Sequence, residues 1–251
     1  MNFKSIKDKI LFYLSVPKCV GCKSRLDISD GALCPECMKE YDEVKKRNCS
    51  ICSKKLSECN CSTFFLKSHY VHKVIKVFRY VQREDLPSNN LIYSLKRDNR
   101  KDVLEFLTGE LAAALENSLE DLDKCVFVNV PRRRSEKKKY GFDHAELLAR
   151  SLAKRFSAEY YQPIISKSHK AQKKTVGRER IKNAKFALKR NARDLTGRQV
   201  IIVDDIITTG ASVGSCALLI RALGVKKIIA ASVSVAYKDS YKQLSTTDRF
   251  K

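Results

Sequence analysis

The sequence has no apolar stretch that approaches the roughly 18 to 20 residues of a membrane span. Residues Ile6 to Val16 are too short and too charged for a signal peptide, and no small-residue cleavage site follows. The expectation is a cytoplasmic protein without membrane insertion. Tryptophan is absent, and acidic residues are scarce: 28 Asp and Glu face 50 Lys and Arg, a formal +22. Such an excess points to polyanionic partners (phosphates, nucleic acid, an anionic surface) or to a lysine-rich proteome. A Gly-x-x-x-x-Gly-Lys run is missing, which excludes a Walker-type nucleotide loop. There is also no low-complexity tail and no obvious Ser/His/Asp arrangement for covalent catalysis. What remains is 43% hydrophobic over 251 residues, enough for a packed core.

Cysteine is plentiful, and it is clustered. Eight of the ten lie between Cys19 and Cys61. Thiols stay reduced in the cytosol, so disulfides are not the expected use. The pairs Cys19/Cys22, Cys34/Cys37, Cys49/Cys52 and Cys59/Cys61 have knuckle spacing, in which two neighbouring thiolates reach one tetrahedral ion. Eight sulfurs imply two structural zinc ions. The simplest grouping is local, Cys19/Cys22/Cys34/Cys37 and Cys49/Cys52/Cys59/Cys61, with a crossed arrangement left open. An iron–sulfur cluster also takes four cysteines, but tandem ribbon-like spacing favours zinc. Cys125 and Cys216 read as core residues, and His69 and His72 as structural.

This clustering divides the chain into a cysteine-rich module, residues 1–65, and an α/β domain, residues 66–251. Val71–Val81 reads as a strand and Asp102–Leu119 as an amphipathic helix. Val126–Val130 is a buried strand closed by Pro131, and His144–Phe156 is helical in period. Gln199–Asp205, Ser212–Leu223 and Ile228–Val235 follow as strand, helix and strand. This is the pattern of a parallel sheet, whose ligands gather at the carboxyl ends of strands.

The most specific segment is Val200–Ser212. A buried strand delivers Asp204 and Asp205 to its end, and Thr208, Thr209, Gly210, Ala211 and Ser212 turn into a helix. Small residues let backbone N–H groups approach an anion, and a helix N-terminus favours its charge. Carboxylates beside a phosphate would repel it unless they hold sugar hydroxyls or a magnesium ion. A phosphorylated ribose satisfies both halves.

This segment resembles, in nearly every position, the 5-phosphoribosyl 1-diphosphate signature of type I phosphoribosyltransferases. Other pieces resemble one branch of that family, the ComF (competence protein) group. Val16-Pro17-Lys18-Cys19-Val20-Gly21-Cys22 is similar to its amino-terminal double zinc ribbon, and Leu95-Lys96-Arg97 to its segment with a lysine after the first helix. Tyr140 to Ala149 resembles the group's Arg-Gly-Phe-Asn-Gln-Ala-Glu-Leu-Leu-Ala, and Gln172, Arg180, Asn183 and Phe186 its Gln…Glu-Arg-x-x-Asn…Phe loop. Tyr140 replaces the arginine and Asp143-His144 the Asn-Gln pair, while the stretch between Asn183 and Phe186 is short.

The resemblance implies a Rossmann-like parallel-sheet phosphoribosyltransferase domain preceded by a small zinc-ribbon module. Asp204 and Asp205 would contact the ribose hydroxyls, directly or through Mg²⁺. Thr208–Ser212 would take the 5′-phosphate, and Val130-Pro131-Arg132-Arg133 the diphosphate. A nucleophile would attack C1′ as diphosphate departs, through an oxocarbenium-like transition state flanked by the two carboxylates. The acceptor is not legible.

Between Pro131 and Arg190 there are 19 Lys and Arg against 5 Asp and Glu. Part of this charge, Arg132–Arg134 and Lys137, Lys138 and Lys139, adjoins the diphosphate segment. Part lies in Lys167–Lys185, which reads as a flap whose Arg178 and Arg180 close over substrate. Diphosphate alone does not need so many cations. Lys137–Lys139 with Lys173 and Lys174 are candidate contacts to single-stranded DNA, with Tyr140, Phe142, Tyr160 and Tyr161 as stacking rings. Three readings stand: a phosphoribosyltransferase, a DNA-handling factor of natural transformation working with other competence proteins, and a non-catalytic sensor of 5-phosphoribosyl 1-diphosphate.

Overall fold

A computed structural model describes residues 17–27, 31–81, 86–167 and 186–236. In chain order the elements are α1 (Pro35–Lys46), α2 (Phe64–Ser68), β1 (Val71–Arg79), α3 (Pro87–Arg97), α4 (Lys101–Glu116), a 3-10 turn at Leu122–Lys124, β2 (Val126–Asn129) and α5 (Arg134–Tyr140). Then come α6 (His144–Arg155), β3 (Glu159–Tyr160), β4 (Ile164–Ser166), β5 (Phe186–Leu188), β6 (Gln199–Ile207), α7 (Ala211–Arg221) and β7 (Lys227–Val235).

Five strands form one parallel sheet in the order β1-β7-β6-β2-β3, and β4 and β5 pair separately as an antiparallel ribbon. The central strands β6 and β7 are continuous apolar runs because helices cover both faces of the sheet. Successive side chains alternate across it. Ile201 and Val203 join Ile229 and Ala231 on the face carrying α3, α4 and α6. Val200 and Ile202 join Ile228 and Ala230 on the other face, against Val213, Cys216, Ala217 and Ile220 of α7. Cys125 and Cys216 are buried as expected. No helix among the described residues is long and apolar enough to cross a membrane.

The cysteine-rich segment shares the first of these cores. Cys19, Val20, Leu33, Cys34, Cys37, Tyr41 and Val44 are continuous with Phe78, Leu91, Leu95 and Leu111. The Tyr41 ring meets Phe78 and Phe106 edge-on, and its hydroxyl donates to Glu110 at 2.8 Å. Helix α1 starts on Pro35, which fixes the backbone of a first turn without spending a needed N–H. Cys34 thus stands just before the helix and Cys37 in its first turn.

Strand β6 runs two residues past Asp205, because Ile206 and Ile207 still pair with Ser234 and Val235 of β7. The loop that leads into α7 therefore begins at Thr208. Val130 N–H donates to the Val203 carbonyl at 3.0 Å, which brings the end of β2 beside Asp204.

Candidate functional site

At the carboxyl edge of the sheet, Asp205 is almost fully buried and Asp204 half-buried. Two basic side chains reach Asp205 from other elements. Lys96 Nζ, near the end of α3, lies 2.9 Å from its Oδ2, and His144 Nε2, the first residue of α6, lies 3.3 Å from the same atom. The Ile206 N–H donates to Asp205 Oδ1 at 2.8 Å. Burial pushes the Asp205 carboxyl up, but the hydrogen bond and charge of His144 and the charge of Lys96 outweigh it and hold the group below the usual carboxylate range. Asp204 goes the other way: burial and the neighbouring charge of Asp205 push its carboxyl well up. Neighbouring acids with separated protonation states are the arrangement that acid–base and ligand-binding sites use.

Arg132 locks this constellation. Its backbone N–H donates to Asp143 Oδ2 at 2.9 Å, and the other oxygen of Asp143 caps α6 through the Glu146 N–H. The Arg132 guanidinium donates to the carbonyls of Lys96 and Phe142 and lies 4.3 Å from the Tyr140 ring centroid. Arg132 therefore anchors the loop after β2 to α3 and α6, while Arg133 is exposed. At the end of β2, the side-chain oxygen of Asn129 accepts from the Tyr160 hydroxyl at 2.7 Å, and its carbonyl accepts from Gln162 at 2.8 Å.

Thr208, Thr209 and Ala211 are exposed, Ser212 is half-buried and Gly210 is buried. Gly210 is the N-cap of α7 with φ +80°, and it offers no side chain to the helix N–H groups. Apart from Ala211 N–H, which reaches Thr209 Oγ1 at 3.3 Å, the first turn lacks a side-chain cap of the kind serine or aspartate supplies. That geometry suits an anion.

Sequence reading missed the parts played by Lys96 and His144. Lys96 lay in a quoted segment and His144 at a departure from the family pattern, but their meeting on Asp205 is a tertiary event. Lys137, Lys138 and Lys139 are exposed on α5, with Lys137 paired to Glu146 at 2.9 Å. The rings proposed for base stacking have cations on them: Arg132 and Lys139 on Tyr140, Arg150 on Tyr160, Arg193 on Tyr161. Arg178, Arg180, Lys173 and Lys174 lie outside the described residues. A cavity of about 590 Å³ lies elsewhere, between α1, β1 and α4.

The cysteines group locally, as their spacing implies: Cys19, Cys22, Cys34 and Cys37 in one set, Cys49, Cys52, Cys59 and Cys61 in the other. Cys22 Sγ and Cys34 Sγ are 3.7 Å apart. That is close to the edge of about 3.8 Å implied by a Zn–S bond near 2.3 Å, and far from the disulfide length of about 2.05 Å. Both knuckles close the same turn. Lys23 N–H donates to the Cys19 carbonyl and Ser53 N–H to that of Cys49, with φ of +66° and +59° at Lys23 and Ser53. A hydrogen bond with Ser24 brings Cys22 down to about 6. Burial pushes Cys49 up, but backbone hydrogen bonds from Cys52 and Ile51 bring it down to about 6 as well. Arg79 adds a donor to Cys49 Sγ at 3.3 Å. Both sets fit structural zinc. Asp204, Asp205 and His144 form a third group, with ligand atoms within 4.8 Å of one another. Its carboxylate oxygens are donors that Mg²⁺ accepts, although Lys96 already holds one of them.

Residues 143–249 match the family model for the phosphoribosyl transferase domain. The chain is 24% identical over 222 residues to Competence protein F of Haemophilus influenzae, covering 84% of this chain and 93% of that one. It is likewise 24% identical over 225 residues to DNA utilization protein YhgH of Escherichia coli, covering 86% and 96%. Among solved structures, adenine phosphoribosyltransferase from Saccharomyces cerevisiae is similar at 20% identity over 60% of this chain and 78% of that one, with a TM-score of 0.39.

Proposed function

We propose that this ComF-like protein, with its phosphoribosyltransferase domain, binds 5-phosphoribosyl 1-diphosphate at the carboxyl edge of the sheet and transfers the phosphoribosyl group. In this reading residues 1–65 are a zinc-ribbon module and 66–251 the transferase domain. The observation that carries the reading is the Thr208–Ser212 loop, which starts a helix on Gly210 and follows, after two intervening residues, a half-buried and a buried acid whose protonation is pushed in opposite directions. The 5′-phosphate sits on the loop, where N–H groups, hydroxyls and the helix dipole favour its charge. Asp204 and Asp205 accept from the ribose hydroxyls and face the positive charge that develops at C1′ as its C–O bond to the departing diphosphate breaks and the bond to the acceptor forms. The backbone of the loop after β2 and the exposed Arg133 receive the leaving group, with Arg132 holding that loop in place. Mg²⁺, when bound with the ligand, neutralises diphosphate charge.

Calorimetry with 5-phosphoribosyl 1-diphosphate and Mg²⁺ tests the binding step. Saturable one-to-one heat is expected, and magnesium-dependent diphosphate release with a nucleobase acceptor would establish turnover. Absence of binding heat sinks the reading. Binding without release under any acceptor supports the non-catalytic sensor.

The names of the relatives, with the exposed lysines of α5, favour a second role in DNA uptake through single-stranded DNA. Each lysine–phosphate contact on a single strand contributes about 0.7 to the slope of log affinity against log salt. Replacing Lys137, Lys138 and Lys139 together by alanine is expected to weaken binding in gel shifts and to reduce that slope by about 2. An unchanged slope removes this face from the DNA path.

A further inference from the structure

We infer that Thr63 is a positioning residue for the Thr208–Ser212 loop, and that α2, the short helix leaving the second cysteine group, is the loop's back wall; the ligand half of this inference rests on the function proposed above. Thr63 is 7% exposed and uses its hydroxyl twice. Oγ1 accepts from the Leu66 N–H at 3.2 Å, capping α2, and donates its proton to the Thr209 carbonyl at 3.1 Å, 146 residues along the chain. A hydroxyl has one proton and two lone pairs, so both bonds form together.

The consequence follows from the planarity of the peptide. In a trans peptide the carbonyl and the next N–H point to opposite sides. Fixing the Thr209 carbonyl on Thr63 therefore turns the Gly210 N–H away from α2. The fit leaves no slack. A Cβ on Gly210 would stand 2.5 Å from Leu66 Cγ and 2.9 Å from Thr63 Oγ1. One turn on, a Cβ on Gly214 would stand 2.6 Å from the Phe65 ring. Two glycines of one segment thus lie against three residues of another: Thr63 the cap, Phe65 the ring and Leu66 the leucine. Cys61 stands two residues before Thr63, so the segment that seats the loop emerges directly from the second sulfur group.

The test uses the full chain with two probes, ribose 5-phosphate and inorganic diphosphate, together with hydrogen exchange of the unliganded protein. Thr63→Val keeps the branched shape and removes the hydroxyl. It is expected to weaken ribose 5-phosphate about tenfold, the scale of one lost hydrogen bond, and to leave diphosphate within about twofold. Thr63→Ser is expected to restore the first affinity. Amides 208–214 are expected to exchange about tenfold faster in the valine variant and at the normal rate in the serine variant. Gly214→Ala, which presses on Phe65 without touching Thr63, is expected to give the same split, relieved by adding Phe65→Ala. Unchanged exchange in Thr63→Val overturns the inference, as does an equal loss for both probes. Faster exchange in Thr63→Val, in a protein whose wild type binds neither probe, upholds the positioning role and overturns the phosphoribosyl reading instead.

Discussion

Asp205→Asn is expected to lower both thermal stability and affinity for 5-phosphoribosyl 1-diphosphate, while Asp204→Asn lowers affinity alone. The carboxylate of Asp205 is almost fully buried and faces Lys96 and His144. Its amide replacement leaves the Lys96 ammonium without its counter-charge and takes the carboxylate away from His144. Breaking a buried pair from one side costs about 3–5 kcal/mol, and the low end applies because the Lys96 side chain is 32% exposed. In a chain of this size about 3 kcal/mol corresponds to a fall of roughly 6–12 °C in Tm. Each charge-assisted hydrogen bond lost to a ribose hydroxyl weakens binding by about 10- to 100-fold.

The pH dependence separates the two acids further. Asp205 has a folded value below its unfolded one, so its stabilisation is fully present above about pH 4. It is lost only as acid titrates the group through that depressed value. The asparagine variant should therefore lose stability near neutrality and show a flatter acid limb. Asp204 is pushed upward by burial and by Asp205, so removing its charge relieves repulsion and leaves Tm unchanged or higher. Thermal melts from pH 3 to 8 and calorimetry on both variants check this. Equal Tm values for wild type and Asp205→Asn would show that the Lys96–Asp205–His144 contact contributes nothing.

Much of this site was legible in the sequence because its parts are local. The run Gln199 to Asp205 reads as a strand by continuous apolarity, and the small residues after it read as a helix start; both are found. Spacing made the local cysteine grouping the simplest and left a crossed one open; the fold brings the sulfurs together in the local sets. The two residues by which β6 outruns its expected end were not legible, since Ile206 and Ile207 are held by pairing with β7 rather than by any local signal. Helices α1 and α3 also escaped. Each opens on proline without a side-chain cap, and α3 carries Ser-Asn-Asn, poor helix formers that packing overrides. That packing buries Leu91, Ile92 and Leu95. Lys96 and His144 meet Asp205 across separations of 109 and 61 residues, beyond any motif. The Asp143-His144 departure was visible as a difference, but its meaning needed the fold: Asp143 caps α6 and holds Arg132 while His144 holds Asp205.

Cys37→Ser is expected to lower Tm by more than about 10 °C, and Cys52→Ser by a few degrees, although each removes one sulfur from a four-sulfur group that could hold zinc. The difference lies in what each set supports. Cys19, Cys34 and Cys37 belong to the core that runs from Val20 and Tyr41 to Phe78 and Leu111. Losing an ion held by that group would unseat α1 and open the face of the sheet it covers. Apparent binding of structural zinc amounts to about 10–16 kcal/mol at neutral pH, comparable to the whole stability of an ordinary domain, about 5–15 kcal/mol. In the second set Cys52 and Cys61 are half-buried, and none of its members joins that core. Its loss loosens a local loop, so the cost stays small. Metal analysis is expected to give about two zinc ions per wild-type chain and about one in each variant. A chelator at neutral pH should reproduce the Cys37→Ser effect in the wild type. Acid should assist it, because protons compete with zinc for every thiolate and burial already pushes Cys37 upward and Cys61 to about 12. Equal Tm losses in the two serine variants would mean that the first sulfur group is not the one on which the core rests. An unchanged Tm after complete zinc removal would mean that neither group holds it.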